Sequence, residues 1–241
     1  MRILYCHCAN TQLVPRKLKD EVLGRLSASG VEFEAVADLC ELAAQRDPLL
    51  KELADSGRAG IIACYPRAVR WLFHAAGADL PADGIEIANM RTQGAAEIIQ
   101  TLLGDAACAQ TRPAPVELRP KKPGEWIPWF PVIDYSRCKN CQECLSFCLF
   151  GVYGLSGDGK VQVQQPGKCK TNCPACARVC PQAAIIFPKY KGTPINGDEV
   201  RPEDIESEKM RVDLAALMGT DAYAALRKRR GGGGLFKKKP Q

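Results

Sequence analysis

No run in this 241-residue sequence approaches the roughly 18 consecutive apolar residues that a helix needs to cross a membrane. The opening stretch, Met1-Arg2-Ile3-Leu4-Tyr5-Cys6, lacks the long apolar segment and small-residue cleavage site of a secretory signal. These two absences lead to the expectation of a cytoplasmic protein with no membrane span. A phosphate-binding loop, a Gly-x-Gly-x-x-Gly fingerprint and a nucleophile–base pair are missing as well. The glycines Gly231 to Gly234 have no strand before them and do not make such a fingerprint. The last fifteen residues contain no acid. They hold Arg227, Lys228, Arg229, Arg230, Lys237, Lys238 and Lys239, a charge of +7 against +6 for the whole chain. The basic balance therefore belongs to a tail and the body is near neutral. Phe236 is the tail's only aromatic residue and the body has no basic stripe, so no nucleic-acid partner is expected.

Cysteine is what the sequence has in excess. There are 13, an odd number, which leaves one over in any full disulfide framework. Eight of them fall from Cys138 to Cys180, grouped in two runs with gaps of two or three residues. In a reducing compartment that spacing reads as metal binding rather than disulfides.

The arrangement along the chain suggests several parts. Residues 1–108 alternate strand and helix signals. Arg2 to Cys6, Val31 to Val36, Ala59 to Cys64 and Ile85 to Ala88 read as strands. Helical spacing follows each: from Pro15 through Leu18, Val22 and Leu26; over Leu39 to Leu53, interrupted near Asp47-Pro48; over Ala68 to Ala76; and over Ala95 to Leu103. Four such units predict an α/β domain, a parallel sheet with helices on both faces. Residues 109–131 form a Pro-rich linker, with Pro113, Pro115, Pro120, Pro123, Pro128 and Pro131. Trp126, Trp129 and Phe130 are unusual in a free spacer and are expected to pack on the following module or on a partner. Residues 132–190 are the cysteine-rich module. Residues 191–230 read as a loop and a helix with a stripe at Met210, Leu214, Leu217 and Met218, and 231–241 as a disordered basic tail.

The first cysteine run is Cys138-x2-Cys141-x2-Cys144-x3-Cys148, the spacing of bacterial iron–sulfur proteins. Three closely spaced thiolates wrap one cubane, and the fourth lies past a turn and reaches the other. A zinc site needs only four cysteines in two pairs, and a dense run of four that occurs twice is a poor match for it. The second run is Cys169-x3-Cys173-x2-Cys176-x3-Cys180-Pro181, with one extra residue in its first gap. Cys169 is nonetheless the only remaining candidate for that position. Residues 132 to 190 resemble the dicluster ferredoxin family. Val152-Tyr153 and Ala184-Ile185-Ile186 match the strands that flank its motifs, and Leu149 stands where many relatives have proline. The resemblance implies a small α+β fold with internal pseudosymmetry. It also implies two [4Fe–4S] clusters, one on Cys138, Cys141, Cys144 and Cys180, the other on Cys148, Cys169, Cys173 and Cys176. From Val132 to Lys191 there are eight basic and three acidic residues, a charge of +5. Two clusters of about −2 each bring the module near +1, which favours a fixed relay over an acidic, freely diffusing carrier.

Four further cysteines lie in the first domain. Cys6 and Cys8 end the first predicted strand, Cys40 follows the second, and Cys64 ends the third. In an open parallel sheet these strand ends share one edge, where ligands bind. Strand alternation points His7 away from the side the cysteines share. Three readings stand: a bound metal centre, most simply a third [4Fe–4S] cluster; a redox dithiol; or inert small hydrophobes. The segment Ile61-Ile62-Ala63-Cys64-Tyr65-Pro66-Arg67, followed by Ala88-Asn89-Met90-Arg91 and preceded by Cys6-His7-Cys8, is similar to the N-terminal region of heterodisulfide reductase A subunits. Those subunits have serine where Tyr65 stands, and no flavin fingerprint follows here. The resemblance implies a cluster-binding module without the flavin chemistry. Cys108 has no sequence partner and reads as structural.

The function these features imply is an electron-transfer subunit of a larger oxidoreductase. It would relay electrons between redox partner proteins, flavoprotein or metalloenzyme subunits. The alternative is a redox enzyme whose N-terminal iron–sulfur or dithiol centre is catalytic, in the manner of heterodisulfide reductases.

Overall fold

The structure, a computed structural model, describes residues 2–104, 118 and 126–204. Cys108, the prolines from Pro113 to Pro123, the predicted helix bearing Met210, Leu214, Leu217 and Met218, and the tail 231–241 lie outside the described residues.

The first half is built on four parallel strands. These are β1 (Arg2–Cys6), β2 (Glu34–Val36), β3 (Ala59–Ala63) and β4 (Ile85–Asn89), in the order β2-β1-β3-β4. Every residue of β3 is buried, as expected of a central parallel strand covered on both faces. Alternation along β1 and β3 sends Leu4, Cys6, Ile61 and Ala63 into one apolar core and Ile3, Tyr5 and Ile62 into another. Helices α1 (Arg16–Ala28) and α5 (Ala95–Leu103) cover the second face with Val22, Leu26, Ile98, Ile99 and Leu102. Helices α2 (Leu39–Gln45), α3 (Pro48–Asp55) and α4 (Pro66–Ala75) cover the first.

Two details depart from the sequence expectation. The helix read over 39–53 is two helices, because Arg46 turns into the left-handed region (φ 51°) and the Asp47 side chain caps a new start by accepting from Leu49 N–H. The strand read over 31–36 pairs only from Glu34, because β2 is an edge strand whose first residues stay partly solvated.

The second half has two small antiparallel ladders. β5 (Val132–Ile133) pairs with β8 (Ile185–Ile186), and β6 (Tyr153–Leu155) with β7 (Val161–Val163). Short helices α6 (Glu143–Phe147) and α7 (Ala175–Arg178) each begin inside a cysteine run and pack on each other. No described helix is long and apolar enough to cross a membrane.

The two halves share buried surface. Phe130, Val132 and Ile186 belong to the same core as Leu72 and Phe73 of α4. The strap aromatics divide between the halves. Trp129 stacks on Phe187 within the module, while Trp126 stacks on Phe130 against the first domain. Two arginines then clasp the module's backbone. Arg67 donates to the Asp134 carboxylate and to the Ala183 carbonyl, both at 2.6 Å, and to Pro194 and Asp198 carbonyls at 3.3 Å. Arg91 donates to the Tyr190 carbonyl at 2.9 Å and lies 4.9 Å over the Tyr65 ring. Gly197, at φ 94°, passes so close to Ala68 that a Cβ would overlap it.

Truncating one partner of a buried, hydrogen-bonded charge pair costs about 2–5 kcal/mol. Arg67→Ala is therefore expected to lower the unfolding free energy of the anaerobically purified chain by that order, seen as a lower urea midpoint, with Arg67→Lys intermediate. An unchanged midpoint for Arg67→Ala contradicts the clasp.

Candidate metal centres

None of the twelve described cysteines is in a disulfide, and three neighbourhoods can be told apart. The first collects Cys138, Cys141, Cys144 and Cys180. Burial raises the Cys144 thiol to about 12, followed by the charges of Cys180, Cys176 and Cys138. The Cys180 thiol is also raised, by burial first, with Cys141 facing it, and its sulfur accepts from Ala184 N–H at 3.3 Å. α6, the loop before it and the turn that follows α7 carry these sulfurs, Cys180 lying far along the chain from the others.

The second neighbourhood collects Cys148, Cys169, Cys173 and Cys176. These four line one apolar cavity of about 320 Å³, with Phe147 and Tyr153 in its wall. Burial pushes the Cys169 thiol up to about 12, aided by Cys173 and Cys148. Cys176 is pushed up to about 12 by burial, opposed by a hydrogen bond from Tyr153 and aided by Cys169, Cys148 and Cys173. The Tyr153 hydroxyl is buried and stands 3.1 Å from Cys176 Sγ. The extra residue of the second run is absorbed before Asn172, which is left-handed (φ 62°) directly ahead of Cys173. Asn140 does the same (φ 55°) ahead of Cys141. Asparagine tolerates that region better than most residues, so both loops turn at equivalent points despite unequal lengths.

The third neighbourhood is at the carboxyl edge of the parallel sheet. The register sets Cys6 opposite Val36 and Tyr5 opposite Ile62, so the ends of β1, β2 and β3 lie side by side. Cys6 and Cys8 sulfurs are 3.5 Å apart, with Cys8 left-handed (φ 48°) as the chain turns off the strand. Leu39 N–H donates to Cys6 Sγ at 3.2 Å from the start of α2. The Cys6 thiol is raised well above its ordinary value by its hydrogen bond with Cys8, then by burial. Burial raises Cys64 strongly, with Cys40 and Cys6 adding to it, and raises Cys40 to about 12. Cys6, Cys40 and Cys64 share one core, with Cys8 packed against it. His7 lies on the other side, its Nδ1 3.2 Å from the Tyr5 hydroxyl.

The neighbourhoods adjoin. Cys169 packs both on the core that holds Cys6, Cys40 and Cys64 and on the module's own core, while Cys144 and Cys176 feel each other's charge. A cleft of about 1130 Å³ runs along the interface past Arg67, Trp71 and His74 and is lined by no cysteine.

Among the described residues no group of His, Cys, Asp and Glu is gathered tightly enough for one metal ion. A four-iron cubane is wider and holds its thiolates farther apart. The donor set suits such a group. It is all sulfur, it comes in fours, and it is buried enough that bare thiolates are costly. Thiolate donors select iron–sulfur clusters and zinc, and N–H···S bonds are a usual device of iron–sulfur sites.

Sequence reasoning located the twelve sulfurs but not their partners. Asp38, Tyr153 and Lys189 touch or flank them, and no spacing rule marks those positions.

The comparisons point the same way. No family model matches the chain and no solved structure does. It is 53% identical over 66 residues to an uncharacterized ferredoxin of Methanocaldococcus jannaschii, which is 27% of this chain and 44% of that relative. It is 44% identical over 55 residues to a ferredoxin of Methanothermococcus thermolithotrophicus, 22% of this chain and 88% of that relative. The chain thus spans less than half of the first relative and most of the second.

Proposed function

The chain belongs to the ferredoxin family, whose members carry electrons on iron–sulfur clusters, and we propose that it is a relay with three such centres inside a larger oxidoreductase. The observation that carries the reading is that Cys148, Cys169, Cys173 and Cys176 line one cavity while Cys6, Cys8, Cys40 and Cys64 pack at a separate core. On this reading Cys138, Cys141, Cys144 and Cys180 hold one [4Fe–4S] cluster and Cys148, Cys169, Cys173 and Cys176 a second. Residues 132–190 form the dicluster domain. Cys6, Cys8, Cys40 and Cys64 hold a third on the domain 1–108, in keeping with its likeness to heterodisulfide reductase A subunits. A [4Fe–4S] cluster takes up and gives back one electron at a time. The protein's part is to supply four thiolates at each site, to exclude water, and to set the potential through hydrogen bonds to sulfur.

The order of the groups supports a conduit. On this reading the Cys148 group is the middle one: Cys169 packs on the core of the N-terminal cysteines as well as on the module's own, and the charge of Cys176 acts on Cys144. Cys141, of the Cys138 group, is exposed. Electrons enter or leave there to a flavoprotein or metalloenzyme subunit, and the N-terminal group is the opposite terminus.

A second reading has one specific observation in its favour. Cys6 and Cys8 stand 3.5 Å apart, sulfur to sulfur, close enough to work as a dithiol. Iron and acid-labile sulfide per chain after anaerobic purification separate the two. About 12 of each supports three cubanes, whereas about 8 supports two and favours the dithiol. Cys64→Ser is expected to lower the count by about 4; an unchanged count refutes a cluster there.

The Tyr153 hydroxyl donates to Cys176, and a hydrogen bond to sulfur favours the more negative, reduced state. Tyr153→Phe is therefore expected to lower the potential of one centre, read by an electron paramagnetic resonance redox titration, with the iron count unchanged. A potential that stays put shows that the hydroxyl does not tune the site.

A further inference from the structure

Lys189 belongs to the ferredoxin module, three residues past β8, yet its side chain ends inside the first domain. It is 7% exposed, and its Nζ lies 2.7 Å from Oδ1 of Asp38, which is 1% exposed. Asp38 has other donors. It caps α2 by accepting from Cys40 N–H at 3.0 Å, and it accepts from Asn10 N–H at 3.3 Å and Asn10 Nδ2 at 3.0 Å. The carboxylate is therefore satisfied by its own domain.

The ammonium has a second set of neighbours. Through Asp38, which also accepts from Cys40 N–H, it stands at the start of α2 beside the cysteines, and its charge acts on Cys40, Cys64 and Cys8. Three of the four N-terminal cysteines thus feel one buried cation. Arg91 is the other cation facing Cys64, and Asp38 the anion facing Cys6 and Cys40. Burying an ammonium is expensive unless nearby negative charge offsets it. Here one carboxylate offsets it, and the sulfurs complete the surroundings.

We propose that Lys189 is a positioning residue that sets the potential of the N-terminal cysteine site, so that the ferredoxin module itself supplies the charge that draws an electron onto its neighbour. The inference rests on reading Cys6, Cys8, Cys40 and Cys64 as a cluster site. One electron leaving the Cys148 group and arriving at the N-terminal group adds one negative charge beside the fixed ammonium. Coulomb attraction in a poorly screened interior favours that state. The lysine reaches the site only while the two halves are docked, so docking and potential are linked.

The test is a redox titration by electron paramagnetic resonance on the full chain, purified anaerobically, with iron counted in each sample. Lys189→Met is expected to keep about 12 irons and to move one of three centres to lower potential. The expected shift is tenfold or more in its reduction equilibrium, about 59 mV for one electron. Lys189→Arg, which keeps the charge, is expected to stay near the wild-type potential. Asp38→Asn, which keeps the capping oxygen and removes the negative charge, is expected to move the same centre upward. Three unmoved potentials at full iron content overturn the proposal. About 8 irons in the wild-type chain overturns it too, and places the failure in the cluster reading instead. If Lys189→Met loses iron or does not fold, Asp38→Asn decides: an upward shift of one centre supports the proposal and no shift overturns it.

Discussion

A buried sulfur cannot be left as a bare anion, and the rest of this structure follows from that. The described chain gathers twelve cysteines into adjoining groups, many of them shielded from water. Burial and mutual repulsion push the thiols up, to about 12 for Cys40, Cys144, Cys169 and Cys176. Such groups ionise only where positive charge meets them, whether iron bound among them or a cation from the protein. On the proposed reading, iron answers that need. Hydrogen-bond donors, the backbone N–H groups of Leu39 and Ala184 and the Tyr153 hydroxyl, answer part of it.

The interface between the halves answers more of it. Arg67, Arg91 and Lys189 all cross it, in opposite directions. The two arginines hold the module's strand and loop by their carbonyls, and the lysine returns from that loop to the cysteines at the sheet edge. Arg67 and Arg91 close the segments Ile61 to Arg67 and Ala88 to Arg91. Their task in this chain is structural. They keep the Cys169 side of the module pressed against the core that holds Cys6, Cys40 and Cys64.

Much of this was legible in the sequence. The alternation of apolar strands and helices located a parallel sheet, and its carboxyl edge is where Cys6, Cys8, Cys40 and Cys64 meet. The two cysteine runs located the module, and the ladders formed by Tyr153 and Ile185-Ile186 stand beside them. The break near Asp47-Pro48 was visible, but not that it makes two helices, because the turn depends on Arg46 taking a left-handed conformation that its residue type does not favour. The interface was hidden for a different reason. Arg67, Asp134 and Lys189 lie in separate segments, and pairing between distant charges leaves no periodic trace. Phe130 and Trp126 were legible as packed aromatics, but not that they would turn to the first domain while Trp129 turned to the second.

The central claim is that three sulfur groups form one line of iron–sulfur centres, with the Cys148 group between the others. Anomalous diffraction at the iron edge, from crystals of the anaerobically purified chain, tests it most directly. Three compact iron peaks are predicted, the middle one over Cys148, Cys169, Cys173 and Cys176 and one end over Cys6, Cys8, Cys40 and Cys64. Iron confined to the module, with no peak at the sheet edge, would contradict the account.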